Sequence, residues 1–163
     1  MQEERHGEIR FLGRFQRDSD RRMMINFDRQ KSLQELEQND WGESSGDTYI
    51  MRTCHRLRRV PLSDFTDEDL RVMLSQQVSL PFLVPLALER LQVDPLLEAE
   101  LYPGDLLGVV LKVPESHWKR HSDASEVLRA IVARTNEMLP TLDEADASLV
   151  RENLSNAPAF VQP

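Results

Sequence analysis

Between Leu80 and Leu91 the sequence reads Leu-Pro-Phe-Leu-Val-Pro-Leu-Ala-Leu-Glu-Arg-Leu, and only Glu89 and Arg90 interrupt its apolar character. A helix that is hydrophobic on all sides belongs inside a protein, covered by other elements. The run is shorter than the roughly 20 residues a helix needs to cross a bilayer, so a membrane span does not explain it. Its prolines suit a helix start. Pro81 fits a first helical position, where no backbone N–H is required, and Pro85 falls within the first two turns. The segment therefore predicts the central, most buried helix of the fold.

The remaining sequence predicts an all-α, compact multi-helix bundle around it. Leu, Ile, Val and Phe make up 45 of 163 residues, above the level of roughly 20% below which chains tend to stay disordered. Leucines outnumber isoleucines 23 to 4, and unbranched side chains lose little rotamer freedom in helices whereas β-branched ones favour strands. A length of 163 residues suits one domain with a single substantial core. That domain is assigned to residues 23–155. Residues 1–22, rich in Arg, Gln and acids with Ile9, Phe11, Leu12 and Phe15 as the apolar anchors, read as a flexible leader or an upstream-start extension. Residues 156–163 read as a disordered tail.

Local signals place the helices. Ser32 and Glu35 fit a capping box, opening a helix that ends near Trp41-Gly42. Tyr49, Ile50, Cys54 and Leu57 form a helical apolar stripe, with Arg52, Arg56, Arg58 and Arg59 opposing the negative end of the helix dipole. Thr66 is an N-cap followed by three carboxylates, and Leu70, Met73 and Leu74 face the core. Leu106 to Val113 favours helix, although three valines make a strand its competitor. Helices follow over Glu115 to Lys119 and Ser122 to Met138. Thr141 and Glu144 suggest a second capping box before a last helix.

The net charge is −8, and six Arg against five acids in residues 1–22 leave −9 on the rest. Binding phosphate backbones or anionic lipids requires a basic surplus along a face, so nucleic acid and membrane are excluded as partners. A basic protein partner fits, and so does plain solubility. One acidic cluster holds Asp64, Asp67, Glu68 and Asp69, where helix capping is a sufficient reason for Asp67 to Asp69. A second holds Asp94, Glu98, Glu100 and Asp105, with Leu101 and Tyr102 among the acids. Carboxylates around an amphipathic anchor suit recognition of a basic surface.

Signals for catalysis are weak. Cys54 is a lone cysteine, which excludes an internal disulfide, and its neighbour His55 cannot face it across a helix. His117 and His121 would share one helical face, but no third ligand accompanies them and Lys119 and Arg120 stand between. No glycine-rich phosphate loop or Gly-x-Ser-x-Gly frame occurs. The expectation is a non-enzyme without cofactor or metal. Without an N-terminal apolar run, a cytoplasmic location is the simplest reading.

Several motifs in order resemble contact-dependent growth inhibition immunity proteins: Trp41-Gly42, Cys54-His55-Arg56-Leu57-Arg58-Arg59 with Pro61-Leu62, Phe65-Thr66-x-Glu68-Asp69-Leu70-Arg71, Leu80 to Glu89, and Asp94-Pro95-Leu96 with Tyr102-Pro103-Gly104-Asp105-Leu106-Leu107. The resemblance runs from about Ile25 to Val113. It implies a helical cytoplasmic protein that binds the C-terminal toxin domain of a cognate contact-delivered effector, without catalysis and at 1:1. It further implies a basic toxin, a nuclease and in this branch a ribonuclease A-like domain. The toxin-binding candidates are Glu98, Glu100, Tyr102, Asp105, Asp94, Asp64, Asp67 and Glu68. A non-catalytic adaptor or scaffold remains an alternative, as does a metal-dependent hydrolase using His117 and His121.

Overall fold

The computed structural model describes residues 25–46 and 48–162, and the leader expected over residues 1–22 lies outside the described residues. Eight α-helices follow one another: α1 (Leu33–Glu37), α2 (Tyr49–Leu57), α3 (Asp67–Ser75), α4 (Leu80–Val93), α5 (Asp105–Leu111), α6 (Glu115–Arg120), α7 (Ser122–Met138) and α8 (Glu144–Ser155). Short 3-10 turns lie at Leu62–Asp64, Leu139–Thr141 and Ala159–Val161, and the described residues contain no strand.

The apolar run is α4, the central helix. It packs against α3, α5 and α7, and Leu83, Val84, Leu86, Ala87, Leu88 and Leu91 are all buried. Pro81 lies in the first turn and Pro85 is accommodated within the helix. Leu70, Met73 and Leu74 of α3 enter the same core, as do Leu106, Leu107, Val110 and Leu111 of α5. The valines of the α5 segment did not make a strand, because helical spacing turns one leucine-rich face onto α4 and α3.

Most helix starts follow their capping residues. Ser32 and Glu35 form the predicted capping box, and Thr66 and Asp69 form another at α3. Thr48 caps α2 by accepting the Met51 N–H. At α8 the cap is Asp143, which accepts from the Asp146 N–H, rather than Thr141. Pro140 helps hold residues 139–141 in a 3-10 turn, where the Thr141 hydroxyl donates to the carbonyl of Met138.

Four further expectations need revision. α1 stops at Glu37, short of Trp41, because Gln38 adopts the left-handed conformation (φ 50°, ψ 43°) that ends it. On α2 the buried face is Thr53, Cys54 and Leu57, whereas Tyr49 is 71% exposed and Ile50 is exposed as well. The terminal residues also differ from a frayed tail. Ala157 and Val161 are buried, Arg129 on α7 donates to the Phe160 carbonyl, and Phe160 packs near Trp118.

Arg58 differs most from its predicted role. Instead of answering a helix dipole in solvent, it is 1% exposed at the end of α2. Its Nη1 donates to Glu37 Oε2 at 2.5 Å and Ser79 Oγ at 3.2 Å, and its Nη2 donates to the Asn39 carbonyl at 2.8 Å. The Trp41 ring lies 4.2 Å from the guanidinium carbon. One buried cation thus ties the α1 end, the following loop, α2 and the entry to α4. Removing one partner of a buried ion pair typically costs about 3–5 kcal/mol. Arg58→Ala is expected to lower urea-unfolding stability by an amount in that range, and a loss within experimental error would contradict the assignment.

Candidate functional site

The connection from α4 to α5, residues 94–104, is built by its own side chains. Asp94 Oδ1 accepts the Leu96 N–H at 3.0 Å, forming a turn. Gly104 takes φ +87°, a conformation that favours glycine, and its N–H bonds to the Leu96 and Leu97 carbonyls. Asp105 then faces inward at 3% exposure. Its carboxylate accepts three backbone N–H groups, from Ala99 at 2.7 Å, Glu100 at 3.1 Å and Leu101 at 2.8 Å. One side chain therefore clamps the loop into a fixed arc.

The clamp also joins the two acidic clusters. Arg71 on α3 grips Glu68 with two hydrogen bonds, Nε at 2.6 Å and Nη2 at 2.7 Å, and stands 3.9 Å from Asp105. The hydrogen bond to Glu68, together with the charges of Glu68, Asp105 and Glu100, raises the Arg71 pKa, so this cation is held firmly charged. Glu68 and the 94–105 loop, some thirty residues apart in sequence, are thereby neighbours. Asp67 pairs with Arg90 of α4, which also donates to the Phe65 carbonyl.

The predicted contact residues separate into two groups. Glu98, Glu100 and Asp64 are exposed, and Leu101, between the acids of the loop, is 61% exposed. Asp105 is buried in the clamp, and Asp94, Asp67 and Glu68 are half-buried with local partners. Tyr102 is half-buried too. Its hydroxyl accepts from Asn153 Nδ2 on α8 at 3.1 Å, so it fastens the loop to the last helix instead of standing out as an anchor. Sequence reasoning passed over Arg71 and Arg90. The spacing of Arg71 three residues after Glu68 is a legible helix pair, but nothing local marks Arg90 as the partner of Asp67.

The histidine pair does not form a metal face. α6 ends at Arg120 and α7 begins at Ser122, with His121 at φ −131° between them, so the continuous helix that would align the rings is broken. The rings stack instead, 4.3 Å apart, and His121 Nδ1–H donates to the His117 carbonyl at 2.8 Å. Among the described residues no group of three or more His, Cys, Asp or Glu is placed to hold a metal ion. Burial, with His121 and Arg120 nearby, pushes the His117 pKa down to about 4. Cys54 is buried, and burial pushes its thiol pKa up, away from nucleophilic thiolate character.

No helix among the described residues is long and apolar enough to cross a membrane. The fold is therefore an all-helical domain whose chemistry-bearing side chains lie in a clamped acidic loop and its α3 neighbour. Residues 35–128, more than half of the chain, match the family of CDI immunity proteins, and the chain belongs to that family. No curated protein and no solved structure matches it.

Two measurements probe these assignments. Asp105→Asn keeps the side-chain shape but weakens a charged acceptor of three amides, so a loss of about 2 kcal/mol is expected, with faster hydrogen exchange at residues 99–101. For His117, the ordinary pKa of 6.5 applies to the unfolded chain and about 4 to the folded one. Between these values the unfolded state binds the extra proton, so stability present above pH 6.5 declines as pH falls toward 4. The loss is expected to reach at most about 3 kcal/mol. Urea unfolding from pH 7 to pH 4 should fall less steeply for His117→Phe than for the parent, and parallel curves would reject the assignment.

Proposed function

We propose that the protein acts in the cytoplasm as an immunity protein, binding and neutralising the toxin domain of a cognate contact-delivered effector, with Glu98 and Glu100 presented to the toxin around Leu101. The supporting observation is the Asp105 clamp, which fixes the backbone while leaving these two carboxylates outward. Asp64 extends the contact, Asp67 and Glu68 stand behind it paired with Arg90 and Arg71, and Asp94, Asp105 and Tyr102 hold its shape. The preferred partner is a basic nuclease, a ribonuclease before others, because enzymes that grip phosphates carry cationic sites. An acidic inhibitor meets such a site with complementary charge and speeds association. The reading takes a 1:1 complex and assigns no catalysis to this chain.

Co-expression with the toxin domain encoded beside it is expected to give a stable 1:1 complex and restore growth; free toxin activity in the purified mixture would reject the reading. Glu98→Lys combined with Glu100→Lys is expected to weaken binding by more than about 2 kcal/mol, the scale of interface hot spots, with no loss of folding. Unchanged affinity in the folded variant would move the interface elsewhere. The adaptor reading draws on a different surface, where Trp41, Tyr49, Ile50 and Met51 are exposed close together in the chain. A partner that tolerates the double reversal but is lost on Tyr49→Ala would favour it.

A further inference from the structure

Away from the acidic loop, a cleft of about 440 Å³ opens at the junction of α6 and α7. One wall is apolar: Phe27, which packs edge-on against Phe82 with ring centroids 5.2 Å apart, together with Pro81 and Pro85 from the first turns of α4. The opposite wall is polar, with His117, Arg120 and His121 followed by the first turn of α7. A volume of this size lies within the range of small-molecule pockets, roughly 300–1,000 Å³.

Two independent features of the polar wall are incomplete. The first is the start of α7, a 17-residue helix whose N-cap position, His121, provides no side-chain cap. The His121 Nδ1–H is turned back onto the His117 carbonyl, and among the described residues no acceptor meets the amides of Ser122, Asp123 or Ala124. Free first-turn amides and the helix dipole together favour an anion. The second is His117 itself. It is 7% exposed, lines the cleft, and has its ring stacked on His121 with Trp118 edge-on, centroids 5.4 Å apart. Its imidazole makes no hydrogen bond within the described residues, and its ring nitrogens are not among the sealed, unpaired side-chain atoms, which are Arg58 Nε and Gln92 Oε1.

We propose that this cleft binds a small organic monoanion, an aromatic carboxylate by class, with the carboxylate on the α7 amides, Arg120 and the His117 ring and the apolar body between Phe27, Phe82 and the two prolines. Arg120 supplies the full positive charge and a planar fork that matches a carboxylate. His117, neutral in the fold, offers one N–H to the ligand. His121 lines the same wall and has its Nδ1–H committed to the backbone. Asp123, also on the wall, opposes a second negative charge on the ligand, which favours a carboxylate over a phosphate dianion. The apolar wall contributes by removing an aromatic surface from water, so a carboxylate without such a body should bind poorly.

The test is a titration of the full chain with sodium benzoate, acetate and inorganic phosphate, read by the side-chain ¹H–¹⁵N resonances of His117 and His121. Benzoate is expected to shift both saturably at millimolar concentration or below, with acetate and phosphate at least about tenfold weaker. Arg120→Ala, an exposed substitution that leaves the core intact, is expected to weaken benzoate about tenfold, and His117→Phe to abolish its effect on His121. Absence of any benzoate shift up to roughly 20 mM overturns the proposal. Equal binding of acetate and benzoate, or unchanged affinity in Arg120→Ala, overturns it as well.

Discussion

Burying most of α4 governs the architecture. A helix with so little polar surface has no face to offer water, so α3, α5 and α7 must all lie against it. Its two charged residues serve as latches at the edge of that enclosure: Glu89 is held by Arg29 through two hydrogen bonds, and Arg90 is held by Asp67 at the start of α3. Because α3 and α5 both pack on α4 and on each other, their acidic first turns are brought side by side. The acidic surface is thus a by-product of covering one apolar helix, later organised by Arg71 and Asp105.

What could be read in the sequence was mainly local. The central helix, its flanking helices and the Ser32 and Thr66 caps depend on residues within a few positions of each other, and spacing rules describe such contacts well. The family resemblance was legible from an ordered series of motifs, and residues 35–128 carry the match. What failed depended on partners distant in sequence. Arg58 looks like any arginine at a helix end, yet its partners Glu37 and Ser79 lie 21 residues away in both directions. Tyr102 looks like an exposed aromatic anchor until Asn153, 51 residues later, takes its hydroxyl. The break at His121, by contrast, falls where the sequence separates a helix over Glu115 to Lys119 from one over Ser122 to Met138.

Charge alone was a poor guide to which acids face outward. Asp67, Glu68 and Glu89 are balanced by arginines, and Asp105 is consumed by backbone amides, so four members of a strongly acidic chain contribute little free charge to a partner. Ion pairs that remain partly open to water, as these do, add modest stability by themselves. Their value here is geometric, since each fixes one element against another. The carboxylates of Glu98 and Glu100 make no side-chain hydrogen bond or ion pair within the described residues, and this is the charge that the loop displays.

The inward orientation of Asp105 has an evolutionary consequence. Residues that shape the loop, Asp105, Gly104 and Tyr102, point into the protein, whereas Glu98, Leu101 and Glu100 point out of it. Substitutions at outward positions lacking internal partners usually change stability by no more than about 0.5 kcal/mol. A lineage can therefore rewrite the outward side chains while keeping the arc that carries them. Recognition can drift in step with a changing partner, and new repulsive or attractive contacts can separate one cognate pair from another without the scaffold being rebuilt.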